Sequence, residues 1–212
     1  GVLYMTWNEG GPLERSLASL SQVHPDLPVE IARLPGGSSL LDKATMNDRS
    51  PFDTTLFLDA DTVVLGDLTY GFEQCEKHDV ACSICECPWA NRYPSISGDV
   101  VEYNTGVIFW QKNQKTNQLF EAWKRHAAEI DSSIEFRGEN GEPDTMPEND
   151  QAGFAMAMHE LGINPFVLPI NWNFRKLWHK SWFGPIKIWH DYSAPPRDVA
   201  QRGPMEFFIL ER

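Results

Sequence analysis

Apolar and polar positions follow two periods along this chain. Residues 2–6, VLYMT, make a short apolar run that predicts a strand. In PLERSLASLSQV, Leu13, Leu17 and Leu20 fall on one helical face, and Pro12 suits a first turn. VEIARL and TTLFLDA, residues 29–34 and 54–60, are a second and third strand. Strand–helix–strand spacing of this kind predicts an α/β fold with a parallel sheet and helices packed on it. Ligands of such sheets bind at the carboxyl ends of the strands.

Further along, DVACSIC and YNTGVIFW read as strands. TNQLFEAWKRHAAEI reads as a helix with Leu119, Phe120, Trp123, Ala127 and Ile130 on one side. Residues 131–149 are acidic and turn-rich and predict a long loop, of a length that usually carries function. QAGFAMAMHEL predicts a helix with Asp150 at its start. NPFVLP, the aromatic segment NWNFRKLWHKSWF and the strand IKIWH come next. There is no internal repeat and no low-complexity linker.

Composition narrows this picture in a few places. A chain of 212 residues fits one domain and can bury roughly 70–75% of its unfolded surface without disulfides. A net charge of −12 argues against nucleic acid or an anionic membrane surface as the main partner. An anionic small ligand stays open if a metal supplies local positive charge. No apolar stretch is long enough to span a bilayer, and GVLYMTWNEG lacks the basic region of a signal peptide. Cys75, Cys82, Cys85 and Cys87 fit no paired zinc pattern. They read as reduced core thiols, in keeping with a cytoplasmic protein, with a metal cluster as the rival.

LFLDADTVVL then raises a question of charge. Asp59 and Asp61 stand where an apolar run ends, and unpaired carboxylates there are costly. Residues i and i+2 of a strand share a side, so both could reach one cation if the strand continues through Ala60. Carboxylates suit Mg²⁺ or Mn²⁺, which keep positions open for phosphate oxygens. The plain rival is a turn in which Asp61 caps the next segment. An EF-hand fails, because Val63 stands where an oxygen ligand is needed. DADTV also satisfies the first motif of haloacid-dehalogenase-like phosphatases, with Asp59 as nucleophile, although that motif usually ends the first strand of its domain. A non-catalytic carbohydrate-binding module is a third class, one that would not need this D-x-D together with Lys43 and His190.

Five ordered motifs and the opening strand resemble the retaining glycosyltransferases of family 8 and their glycogenin-like relatives, from about Leu3 to Tyr192. LYMTWNEG resembles the first strand and nucleotide-binding turn, LLDKATM the segment with a phosphate- or sugar-contacting lysine, and LFLDADTVV the metal motif. YNTGVIFWQ, ENDQAGF and IKIWHDY resemble the donor-sugar strand, the motif beside the reacting carbon and the segment whose His completes the metal site. Two departures stand out. NEGG occupies the place where members often carry a Tyr against the base, and HDYSAPP replaces a Gly–x–x–Lys–Pro–Trp tail.

The resemblance implies a GT-A fold, with a Rossmann-like mixed central sheet flanked by helices in a single domain over residues 1–212. Residues 1–110 would be the nucleotide-binding half with the D-x-D, and residues 111–212 the acceptor-side half. It implies a metal-dependent enzyme that moves a hexosyl group from a nucleotide-diphospho-sugar, a UDP-sugar, to an acceptor hydroxyl, a glycan, with retention of configuration. Mn²⁺ or Mg²⁺ would be held by Asp59, Asp61 and His190. Thr6, Asn8, Lys43, Asp59 and Ala60 would contact the donor. Asn104, Asp150 and Gln151 would act at the reacting centre.

Each assignment has a plainer rival. Lys43 could be a solvated surface lysine. Asn104 could be a turn residue, Asp150 only an N-cap, and His190 a core histidine, with His179 as an alternative ligand. The rings of Trp172, Phe174, Trp178, Trp182, Phe183 and Trp189 could bind acceptor sugars or form a small aromatic core.

Overall fold

The computed structural model describes residues 1–7, 10–86, 93–94, 96, 100–137, 141–197, 199 and 206–210. Its centre is a six-stranded sheet. β1 (Val2–Thr6) lies between β2 (Val29–Arg33) and β3 (Thr54–Leu58), parallel to both. The short β4 (Thr62–Val64) comes after β3 but leaves the sheet. β5 (Val80–Ile84) and β6 (Tyr103–Gln111) continue the sheet, with β6 antiparallel to both β3 and β5. The sheet is mixed, as the resemblance implies, because β6 enters between β3 and β5 in the opposite sense to the parallel strands that the spacing predicts.

The helices are α1 (Gly11–Val23), α2 (Met46–Arg49), α3 (Thr69–His78), α4 (Gln114–Glu129) and α5 (Asp150–Glu160). Alternation along the strands builds two cores. Leu3, Phe57, Ile108 and Trp110 face α4 and α5, meeting Leu119, Phe120, Trp123 and Phe154. Val2, Tyr4, Leu56, Leu58, Val107 and Phe109 face the other way, toward Leu20, Cys75 and Leu168. Strands buried on both faces explain why these segments read as continuous apolar runs.

The remaining strands are short. Within residues 131–149, β7 (Ile134–Arg137) and β8 (Pro143–Met146) pair antiparallel, with Ile134 opposite Met146. The predicted loop is thus a hairpin. Its turn-rich composition hid the pairing, and only Ile134 is buried enough to fix a face. β9 (Phe166–Leu168) joins the sheet edge parallel to β5. β10 (Ser181–Phe183) pairs with β12 (Phe207–Ile209), and β11 (Ile188–His190) pairs with β4.

The aromatic segment divides. Phe174 stacks on Trp189, with centroids 5.5 Å apart, and packs on Trp182, so these rings form a core with Val63 and Ile186. Trp172 is buried against Phe109, whereas Trp178 and Phe183 are exposed. Cys75, Cys82 and Cys85 are buried and in no disulfide among the described residues, and Cys87 lies outside them. Among the described residues no helix is long and apolar enough to cross a membrane.

Candidate active site

The strand does not run on through Ala60. After Leu58 the chain turns: the Thr62 amide and hydroxyl both donate to the Asp59 carbonyl, at 3.2 and 2.8 Å. The Asp59 amide donates to the Gly106 carbonyl, 2.9 Å. Asp59 therefore ends the large sheet, and Asp61 opens onto the β4–β11 ladder, where His190 pairs with Thr62. The Asp191 amide donates to the Asp61 carbonyl at 3.0 Å and closes this end of the ladder. The expected convergence of the two carboxylates holds, but a turn produces it.

Candidate ligand atoms of Asp59, Asp61 and His190 lie within 4.8 Å of one another. His190 Nε2 is 3.3 Å from Asp61 Oδ1 and 3.6 Å from Asp59 Oδ2. His190 Nδ1 lies 2.7 Å from Asn173 Oδ1. An amide oxygen can only accept, so Nδ1 donates to it, which leaves Nε2 as the ring atom that faces the carboxylates and could ligate a metal. A hydrogen bond of this kind is the usual support of a metal-ligating imidazole. His179 is elsewhere, with Nε2 3.6 Å from Glu86 Oε1 and the ring near Phe174.

Gly106 makes the close approach possible. A Cβ there would stand 2.3 Å from His190 Cε1 and 2.7 Å from Asp59 Oδ2. The space that a side chain would fill is taken by two of the three candidate ligands. The donor set, two carboxylates and one imidazole, fits a Mn²⁺ or Mg²⁺ ion that keeps positions open for phosphate.

On the other side of Asp59 stands Lys43. It sits in a 3-10 turn over Leu40–Thr45 that Ser39 and Asp42 close in a reciprocal capping box. Lys43 is buried, with Nζ 2.8 Å from Asp59 Oδ2 and 3.9 Å from Asp150 Oδ2. The surface-lysine reading fails. Burial acts to lower its pKa, but the charges of Asp150 and Asp59 outweigh that and hold it above the ordinary lysine value.

Asp150 is not the N-cap. Asn149 is, accepting from the Gln151 amide at 2.9 Å, and Asp150 is the first helical residue. The Thr105 hydroxyl donates to the Asp150 carboxylate, and Trp123 Nε1 donates to its carbonyl. Burial pushes the Asp150 carboxyl above the usual range, against Lys43 and Thr105. Burial also acts to raise Asp61, but His190 and Lys43 prevail and hold it at about 2. Three carboxylates thus gather around one ammonium, a surplus of negative charge that a divalent cation would balance.

Asn104 is buried beside these groups. Its Oδ1 accepts from the Gly106 amide at 2.9 Å, while its Nδ2 is buried with no hydrogen-bond partner among the described residues. A buried unpaired donor is costly unless a ligand meets it. Gln151 Nε2 donates to Glu102 Oε1 at 2.9 Å. A cleft of about 390 Å³ opens over the cluster. Thr6, Lys43, Asp59, Ala60, Asp61 and His190 all line it. Asn8 lies outside the described residues. Gly106, Asn173, Thr105 and Trp7 were not singled out from the sequence. Gly106 stood inside YNTGVIFW, where a glycine in an apolar strand is itself the mark of a close approach.

Residues 54–187, from the start of β3 to the edge of β11, match the nucleotide-diphospho-sugar transferase family. The chain belongs to that family. Membership places it among nucleotide-diphospho-sugar transferases and leaves the phosphatase and binding-module readings without support. The transferase shares its fold with solved glycosyltransferases, and that fold is GT-A. Galactosyltransferase LgtC, solved with donor and acceptor sugar analogs, is 13% identical, with a TM-score of 0.55 over 93% of this chain and 90% of its own. Mouse xyloside xylosyltransferase 1 is 14% identical, with a TM-score of 0.54 over 92% of this chain and 99% of its own. GlyE of Streptococcus pneumoniae TIGR4 is 16% identical, with a TM-score of 0.52 over 93% of this chain. The transferase spans only 55% of GlyE. No curated protein sequence matches it.

Proposed function

We propose that this transferase moves a sugar from a UDP-sugar to an acceptor hydroxyl, with retention of anomeric configuration, using a divalent ion held by Asp59, Asp61 and His190. The observation that carries the metal reading is the triad within 4.8 Å, in a space that only glycine at position 106 leaves open. When bound, Mn²⁺ or Mg²⁺ acts as a Lewis acid toward the departing diphosphate. The uridine and retention readings are supported by the motif resemblance to family 8.

The chain's own groups take separate parts. Lys43, fixed between Asp59 and Asp150, brings a positive charge to the diphosphate end of the cleft. Thr6 and Ala60 line the donor cleft, and we keep Asn8 with them from its place in the sequence motif LYMTWNEG. The unpaired Asn104 Nδ2 is available to a hydroxyl or ring oxygen of the donor sugar. Asp150, held by Thr105, and Gln151, held by Glu102, are fixed side chains for the reacting face. The acceptor hydroxyl attacks from the face that the leaving group vacates, and a phosphate oxygen takes its proton.

We further take residues 1–110 as the nucleotide-binding half and residues 111–212 as the acceptor-side half. The exposed rings of Trp178 and Phe183 in the second half support a glycan acceptor. Cys75, Cys82 and Cys85, in no disulfide among the described residues, support a cytoplasmic setting.

The direct test is incubation with Mn²⁺ and a panel of nucleotide-sugars. Release of nucleoside diphosphate that stops with EDTA, with product NMR showing the donor's configuration, is the expected result. Turnover indifferent to EDTA would remove the metal. An inverted product would remove the mechanism.

A further inference from the structure

Tyr4, Ser16 and Thr62 are all buried at 0% exposure. Tyr4 lies in the apolar core with Leu20, Leu58 and Val64. Hydroxyls taken out of water are costly unless each finds a partner. Here they partner one another. Tyr4 Oη lies 2.9 Å from Ser16 Oγ, and Ser16 Oγ lies 3.0 Å from Thr62 Oγ1. The Thr62 hydroxyl ends the row by donating to the Asp59 carbonyl at 2.8 Å. A carbonyl can only accept, so the Thr62 proton is used there. Ser16 must then donate to Thr62, and Tyr4 to Ser16. Burial holds the Tyr4 phenol up at about 12, so it keeps the proton that starts the row.

The Asp59 carbonyl is where the D-x-D turn closes. The Thr62 amide also donates to it, but at 3.2 Å, the long end of the range for an amide. The hydroxyl at 2.8 Å is the firmer hold on the turn that brings Asp61 back beside Asp59. Two further contacts come from α1, where residues 15, 16 and 19 share one side of the helix. The Val64 amide donates to Ser19 Oγ at 2.9 Å. Arg15 Nη2 donates at 3.2 Å to the carbonyl of Asp191, the residue after His190. β11 thus covers one edge of β4, and α1 covers the other.

We propose that Thr62 and Ser16 are positioning residues for the metal site: Thr62 locks the D-x-D turn through the Asp59 carbonyl, and Ser16 locks the Thr62 hydroxyl. Together they fix the separation of the Asp59 and Asp61 carboxylates. Both act through the Asp59 backbone. The inference rests on the metal reading of Asp59, Asp61 and His190.

The test measures Mn²⁺ affinity by titration calorimetry and melting temperature in EDTA. The proteins are wild type, Thr62→Val, Thr62→Ser, Ser16→Ala and Tyr4→Phe. Thr62→Val keeps the side-chain shape and removes the hydroxyl. Tyr4→Phe also removes a buried hydrogen bond, but leaves Ser16 joined to Thr62. The proposal expects Thr62→Val to weaken Mn²⁺ about tenfold or more, the cost of losing the outer support of a metal site. Ser16→Ala should weaken it in the same direction by less. Thr62→Ser, which keeps the hydroxyl, should restore most of the affinity. Tyr4→Phe should bind Mn²⁺ like wild type, even where its melting temperature falls as far as that of Ser16→Ala. Unchanged affinity in Thr62→Val or in Ser16→Ala would overturn the proposal alone. So would an affinity that simply follows melting temperature across all the variants, which would make the row a part of the core and nothing more. Wild type that binds no Mn²⁺ would sink the metal reading and this proposal with it.

Discussion

The two carboxylates of the D-x-D belong to different parts of the molecule. Asp59 terminates β3 of the central sheet and is tied to Lys43, which also reaches Asp150. Asp61 sits beyond the turn, on a two-stranded ladder whose other strand brings in His190. The first arm is a buried cluster of opposite charges, so its parts hold one another and the fold. The second arm is a carboxylate and an imidazole on an edge, held by backbone pairing. One arm should therefore report mainly in stability and the other mainly in metal binding.

The largest separation is expected from Asp61→Ala. Mn²⁺-dependent transfer should fall at least about a hundredfold, while the melting temperature measured in EDTA stays close to wild type. Undiminished transfer would end the metal reading. A collapsed melting temperature would erase the contrast between the arms.

Lys43→Ala should behave in the opposite way. Removing the ammonium leaves Asp59 and Asp150 buried without their counter-charge, a loss of about 3–5 kcal/mol by analogy with broken buried ion pairs. Urea unfolding would measure it. A loss below about 1 kcal/mol would show that Lys43 contributes to function without holding the cluster.

Gly106→Ala sharpens the contrast from the backbone. A methyl group 2.3 Å from His190 Cε1 must displace the ring. Mn²⁺ affinity by calorimetry should fall about ten- to a hundredfold, the range seen when the support of a ligand is lost. Unchanged affinity would mean that His190 is free to move aside and is not placed by this strand.

The smallest effect lies outside both arms. Burial pushes the Cys75 thiol and the Tyr4 phenol up to about 12. Their unfolded values are about 8.5 and 10. A group raised on folding stabilises fully below its unfolded pKa, and that contribution is lost as pH rises toward the folded value. The urea midpoint should thus decline from about pH 8.5 upward, and less so in Cys75→Ala. A decline identical in both proteins would place the alkaline loss elsewhere.

Most of the first arm was legible in the sequence, because local patterns encode it. The continuous apolar runs marked β1, β3 and β6, and the carboxylates stood visibly at a strand end. The turn at Ala60 was not legible, since Thr62 must fold back on the Asp59 carbonyl for it to form. The second arm depends on pairing across more than a hundred residues. IKIWH showed a strand, and the resemblance preferred His190 over His179, but the register against β4 left no local mark. Asn173 was hidden for the same reason: its role exists only once Phe174 bridges Trp189. Asn149 was overlooked in favour of Asp150 because both residue types cap well and they are adjacent.

The central claim is that the His190 imidazole joins Asp59 and Asp61 at one divalent ion. Pulsed electron paramagnetic resonance on the Mn²⁺ complex with UDP tests it most directly, because a coordinated imidazole imprints ¹⁴N modulation on the electron spin echo. The account predicts nitrogen modulation in wild type and in His179→Ala, and its disappearance in His190→Ala. Modulation that persists in His190→Ala, or is absent from wild type with Mn²⁺ bound, would contradict it.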